Sequence, residues 1–424
     1  MPKGSTYPLT TPNAGGSVLG VQDGATVRFT TQSLVPAPGP LSLAFIGDSI
    51  TDFNRVTTAP LVASDIRGYG SHATAISNGS LKLGTNLGMS GQNTATIVAA
   101  LDAWLPTVPE KTVMMFTGAN DVASGTLTAA QLFANIMAGV AKIKAAGKSV
   151  VLGTILPNGS ATTTPKVALR LDTNTLLRAE ARLGSFILVE WDDLIQLSDG
   201  TIPTNILFDA THPAPQGAEN MGQRLYDALR PSLTPISAST WAAVGAAGKR
   251  VTNGVMNGTG GSLSGTGASG SVAAGWTGTN AGTGATAVFS KVASTDSDPT
   301  PWQQVLCTAG SDTQYVEILQ AIGGGAGTFE TLAQMEIDIP ADGAVLSFHM
   351  KVQSFAGGNP TRNHLQTNDS TKTYSAGNRK RLLRIPAITV NATEAANMVI
   401  YIGVVVVATK ACTFRVRRVG DLPA

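Results

Sequence analysis

Between residues 41 and 232 short apolar runs alternate with amphipathic stretches, and the hydrophobic period switches with them. The runs "LSLAFIG" from 41, "LKLGTNLGMSG" from 81, "TVMMFTGAND" from 112, "SVVLGTIL" from 149 and "FILVEW" from 186 read as strands. "LTAAQLFANIMAGVAKIKAAG" places Leu132, Ile136, Val140 and Ile143 at helical spacing and stops at Gly147, a residue suited to a helix end. "TNTLLRAEARLG" from 173 continues the helical pattern. In "HPAPQGAENMGQRLYDALRP" from 212, Pro213 suits a first helical position and Pro231 a stop. Nearly continuous apolar strands alternating with helices predict an α/β unit, a parallel sheet covered on both faces.

After residue 232 the texture changes. A stretch rich in Gly, Ser and Thr runs from Asn253 to Thr286 and reads as loops and irregular strands. "AVLSFHMKVQSF" from 344 then alternates polar Ser347, His349 and Lys351 with apolar Leu346, Phe348, Met350 and Val352. That period of two, repeated in "QYVEILQAI", "NMVIYIGVVVVATK" and "CTFRVRRV", predicts a C-terminal all-β sandwich or jelly roll. The expected organisation is an extended N-terminal segment over 1–40, an α/β domain over 41–232, a connector over 233–252 and a β-domain over 253–424.

Composition narrows the function classes. The chain has 424 residues, enough for two or three domains, with 43% hydrophobic residues and a net charge of +2. Charged residues are 13%, about half the usual share. No electrostatic footprint for nucleic acid or an anionic membrane is present. Arg415, Arg417 and Arg418 alternate in a strand pattern and read as a solvated strand face. The longest apolar run, Met398 to Ala408, is too short to span a bilayer and reads as a buried strand. The N-terminus lacks the basic-then-apolar order of a secretory signal. Cys307 and Cys412 are too few for a disulfide framework; they pair or stay as buried thiols, the second reading being favoured. His72, His212, His349 and His364 are scattered, so neither a metal nor a cofactor is expected.

Chemistry concentrates after the predicted strand ends, where parallel sheets hold their ligands. Ser49 follows the first strand, Gly88 and Gly91 the second, and Asn120 the third; Asp209 and His212 precede the last helix. Singly, Asn120 reads as a turn residue, Asp209 as a surface or helix-capping residue and His212 as a structural one. Asp52 and Asp121 read as structural or as supports behind the site, and His72 has no partner that the sequence names. Together they offer a hydroxyl, an imidazole, a carboxylate and amide donors, which is what serine-based acyl transfer requires.

The blocks "FIGDSIT", "NLGMSGQNT", "TGAND" and "DATHP", in that order, resemble the four marker blocks of the SGNH (GDSL-type) serine hydrolases. The resemblance covers residues 41 to 232 and implies a flavodoxin-like parallel sheet with helices on both faces. It implies Ser49 as nucleophile, His212 as general base and then acid, and Asp209 as the group that orients the imidazole. The oxyanion hole would comprise the Ser49 and Gly91 backbone N–H groups and the Asn120 side chain, with Gly88 as the fallback. Ala119 stands where many members carry Gly. The family takes acetylated sugars, lipids, thioesters and aryl esters. No long apolar lid is evident, and the β-domain resembles a carbohydrate-binding module, with Trp276 and Trp302 as core residues or sugar platforms. The expected activity is removal of O-acetyl groups from a polysaccharide, the competitors being a general esterase or lipase and a catalytically silent glycan-binding tail protein. "VLGVQDGATVRFTTQSLV" is similar to the opening segments of phage tail-fibre and tailspike proteins, which, with the β-rich C-terminal region and no secretory signal, implies an extracellular-acting, virion-borne homotrimer, the alternative being an enzyme secreted by a non-Sec route.

Overall fold

The computed structural model describes residues 17–22, 25–30, 40–54, 68–157, 159, 161–194, 202, 205–236, 250–356, 361–365 and 371–423. Two short strands, β1 (Ser17–Gln22) and β2 (Ala25–Thr30), form an antiparallel hairpin. Much of the expected connector, 237–249, lies outside the described residues.

The α/β unit runs through β3 (Leu41–Gly47), α1 (Ser49–Asp52), α2 (Tyr69–Ile76), β4 (Leu81–Gly88), α3 (Thr94–Trp104), β5 (Thr112–Phe116), α4 (Ala119–Ser124), α5 (Ala129–Ala145), β6 (Ser149–Gly153), α6 (Thr164–Ala181), β7 (Ile187–Val189) and α7 (Pro215–Leu229). Its strands are all parallel in the order β4-β3-β5-β6-β7, the doubly wound order of flavodoxin-like sheets. The apolar strands divide by the period of two. Leu43 and Phe45 join Met114, Phe116 and Val151 in one core with Tyr69, Met221 and Leu225. Ala44 and Ile46 join Val113, Met115, Val150 and Leu152 in the other, with Ile97, Ile136 and Leu177. Both faces are therefore sealed by helices, which is why these strands carry almost no polar side chains.

Local chemistry sets the helix ends. Thr128 and Gln131 form a capping box at the start of α5. Helix α7 begins at Pro215, two residues later than Pro213, because residues 206–214 are used in a narrow turn before it.

The β-domain comprises β8 (Gly260–Ser264), β9 (Ala268–Gly270), β10 (Val272–Asn280), β11 (Thr286–Val292), β12 (Trp302–Thr308), β13 (Gln314–Ile322), β14 (Gly327–Ile339), β15 (Val345–Ser354), β16 (Thr361–His364), β17 (Gly377–Val390), α8 (Ala392–Ala395), β18 (Met398–Val406) and β19 (Ala411–Pro423). Two six-stranded sheets, β16-β15-β18-β13-β10-β8 and β17-β14-β19-β12-β11-β9, share one core through Ile318, Phe348 and Ile400 on one side and Phe289, Ile337 and Phe414 on the other. The pairing is antiparallel except for β8 on β10 and β9 on β11. Cys307 and Cys412 face each other on neighbouring strands as free, buried thiols.

One expectation for this domain changes, and one choice left open by the sequence closes on the core reading. The C-terminal arginines are not a solvated face: the Arg417 side chain is 5% exposed, paired with Asp296 and laid 4.0 Å over the Trp302 ring. Arg418 is paired with Asp298. Trp276 is 1% and Trp302 7% exposed, so both belong to the interior and neither offers a free face to a sugar.

Candidate active site

Strand β3 ends at Gly47, and only a residue without a side chain fits there: a Cβ would stand 2.1 Å from the Phe116 carbonyl oxygen. The chain turns at once into α1, with the Asp48 side chain accepting from the Ile50 N–H at 3.0 Å. Ser49 is the first residue of this turn and is half-buried at the carboxyl edge of the sheet.

Residues 88–92 form a loop that is tied to its neighbours on both sides. The Met89 N–H donates to the Gly47 carbonyl at 2.8 Å, and the Ser90 hydroxyl donates to Asp52 at 2.9 Å. On the other side Asn120 Nδ2 donates to the Gln92 carbonyl at 2.8 Å, which leaves its second N–H hydrogen for another acceptor. Gly91 is exposed at φ +76° with open space where a Cβ would be. The Gly88 N–H, by contrast, is consumed by the Asn86 side chain at 3.0 Å. Of the two glycines, Gly91 is the one whose amide has no partner among the described residues.

The fourth block closes the arrangement. His212 Nε2 lies 2.8 Å from Ser49 Oγ, and His212 Nδ1 lies 2.7 Å from Asp209 Oδ2. The other carboxylate oxygen of Asp209 accepts the backbone N–H groups of Thr211 and His212, each at 2.7 Å. Partial burial pushes the Asp209 pKa up, but those two amides and the imidazole pull it further down, so the carboxyl sits below its ordinary range. With Asp209 ionised, Nδ1 of the imidazole carries the proton and Nε2 faces the serine as an acceptor. The His212 ring packs on Phe208 at 5.4 Å in a stacked geometry and on Phe53 at 5.1 Å. The rim is open: the side chains of His212 and Asp209 are 23% and 44% exposed.

Ser49, Asp209 and His212 are thus in contact, and the loop with Gly91 is bonded to Gly47 and Asp52 on either side of Ser49 and to the Asn120 amide. Asp52 and Asp121 support this arrangement: Asp121 accepts from Thr94 N and Oγ1, both at 2.8 Å, fixing α3 behind the loop. Asp48 lies under Ser49 and is fully buried, with one carboxylate oxygen unpartnered. Burial pushes its pKa up to about 7, helped by the Asp121 charge and opposed by the Ile50 amide. Phe53 and Phe208 had no distinguishing sequence signal, since both lie just outside the marker blocks, and Gln92, inside the second block, acts through its backbone carbonyl, which side-chain identity does not reveal. Among the described residues no group of three or more His, Cys, Asp or Glu could hold a metal, and no helix is long and apolar enough to cross a membrane.

Residues 45–219 match the family model described as GDSL-like lipase/acylhydrolase. No curated protein matches the chain. Solved structures similar to the chain include a putative G-D-S-L family lipolytic protein from Desulfitobacterium hafniense, 17% identical, covering 44% of this chain and 99% of that one at a TM-score of 0.36. A putative acylhydrolase from Bacteroides fragilis is 19% identical, covering 47% and 93% at 0.37. A catalytic mutant of an acetylxylan esterase from Geobacillus stearothermophilus is 17% identical, covering 46% and 96% at 0.38.

Proposed function

We propose that this chain, whose residues 45–219 are a GDSL-like lipase/acylhydrolase domain, hydrolyses carboxylic esters through an acyl-enzyme on Ser49. The single observation that carries this reading is the continuous contact Ser49 Oγ, His212 Nε2, His212 Nδ1, Asp209 Oδ2 at 2.8 and 2.7 Å.

As Ser49 Oγ bonds to the ester carbonyl carbon, its proton passes to His212 Nε2 and the carbonyl π-pair moves onto oxygen. Asp209 stabilises the imidazolium through Nδ1–H. The oxyanion is met by the Ser49 and Gly91 backbone N–H groups and the remaining Asn120 N–H. When the carbon–oxygen bond to the leaving group breaks, the proton on Nε2 goes to the departing alkoxide. Water then repeats the sequence, with His212 first taking its proton and then returning one to Ser49 as the carboxylic acid leaves.

The substrate class we favour is an O-acetylated polysaccharide. The exposed rim of the site supports it, since a triad this open admits an acyl group borne on a bulky polymer. Carriage on a phage tail as a homotrimer belongs to the same proposal and is supported by the likeness of residues 18–35 to tail-fibre openings. A clean monomer mass in solution would count against that part.

The test is a screen of acetylated glycans and of nitrophenyl esters from acetate to palmitate, with Ser49→Ala as control. Acetate release from a glycan, lost in the variant, is expected. Turnover confined to long acyl chains would reject the substrate class, and no turnover at all would favour a silent domain.

A further inference from the structure

The segment bearing Asp209 and His212 is a narrow turn. Leu207 and Pro213 pair in an antiparallel bridge, the Phe208 N–H donates to the His212 carbonyl at 3.1 Å, and the Ala214 N–H donates to the Ile206 carbonyl at 2.8 Å. These bonds fix the shape of the turn. They do not fix where it stands over Ser49.

Its two flanks are held by the β-domain. Before the turn, Asn205 Nδ2 donates to Ser375 Oγ at 3.2 Å. After it, Gln216 Oε1 accepts the Ser375 N–H at 2.8 Å and Arg379 Nη2 at 3.1 Å. Arg379 Nε also reaches both oxygens of Glu219, one turn further along α7, at 2.9 and 3.0 Å. Arg381 joins the same carboxylate. The Gln216 amide is itself aimed by Asn220 and Glu219, which accept from its Nε2 at 2.8 and 3.2 Å. Gln216, Glu219 and Arg379 are 8%, 5% and 7% exposed.

A buried ion pair is a poor way to gain stability, because desolvating both charges offsets most of their attraction. What a planar guanidinium with several fixed donors supplies is register. Here the register set is that of α7 and the turn before it, relative to β17. We propose that Arg379 is a positioning residue for His212: through Gln216 and Glu219 the β-domain holds the imidazole at proton-transfer distance from Ser49. The inference rests on the esterase reading above for its kinetic consequence but not for its structural one. It also gives the β-domain a part in the reaction besides any glycan contact.

The experiment compares full-length wild type, Arg379→Ala and Lys82→Met. Lys82 bridges the same two units through Glu330 at 2.9 Å, at the start of β4, and serves as the docking control. Misplacing a reacting group by about 1 Å costs on the order of 100-fold, so Arg379→Ala should lose about 10- to 100-fold in kcat with KM within about twofold. Hydrogen exchange of the amides of 206–214 should quicken in Arg379→Ala and not in Lys82→Met, which keeps its kcat. A folded Arg379→Ala with wild-type kcat and unchanged exchange overturns the proposal, as does an equal loss in Lys82→Met. If Arg379→Ala does not fold, Gln216→Ala is judged by the same criteria. If the wild type turns over no ester, the esterase reading falls, while the exchange comparison still decides the positioning.

Discussion

His212 Nε2 stands 2.8 Å from Ser49 Oγ although the two residues are 163 positions apart in the chain. Ser49 is placed by the end of β3 and His212 by the turn before α7, so the contact is a product of the doubly wound sheet. Each element that sets this distance makes a measurable difference.

Asp209→Asn should leave the fold intact, since the residue is 44% exposed and its loop bonds can be kept by the amide oxygen. It should cost about 10³- to 10⁴-fold in kcat, because an amide no longer enforces the tautomer that presents Nε2 as an acceptor. Steady-state kinetics beside a thermal melt check this. An unchanged kcat would remove Asp209 from the mechanism.

Asn120→Ala should lower kcat by about 10²- to 10³-fold with little change in KM, the usual effect of deleting one oxyanion donor. Gly91→Ala tests a different property. Its Cβ would meet nothing, so the cost is conformational: a left-handed φ disfavours an L side chain by roughly 1–2 kcal/mol. Chemical denaturation should register that loss in Gly91→Ala, and unchanged stability would refute the left-handed conformation.

Asp48 makes stability depend on pH. Its pKa is about 7 in the folded chain against 3.8 when unfolded, so the folded state holds the extra proton between those values. Its contribution is fully present below about 3.8 and is lost as pH rises through about 7. Relative to wild type, Asp48→Asn should therefore gain melting temperature progressively from pH 4 to 7.5. Parallel pH curves for the two proteins would refute the assignment.

Cys307 and Cys412 should resist thiol reagents in the native protein and both react in denaturant, since burial closes the site and raises the Cys307 pKa. Titration of two thiols under native conditions would contradict the packing of β12 against β19.

The α/β half was legible because its signals are local and redundant. A nearly all-apolar strand such as 41–47 announces a sheet covered on both faces, and Ser49, Asn120, Asp209 and His212 each sit at a change of element. Helices α2 and α3 gave weaker patterns: α2 is buried nearly all round, so it has no polar stripe to set its period. The arginines near 417 misled for a related reason. Strand alternation says which residues share a face, not whether a loop such as the one holding Asp296 and Asp298 covers that face. Nor could spacing reveal the Arg379–Gln216 contact, whose partners are 163 positions apart and belong to different domains.

The most direct test of the account is the rate at which a fluorophosphonate adds to Ser49, read by intact mass and peptide mapping. One adduct, on Ser49, is expected, forming at least about 10³ times faster in wild type than in His212→Ala. No adduct, or equal rates in the two proteins, would contradict it.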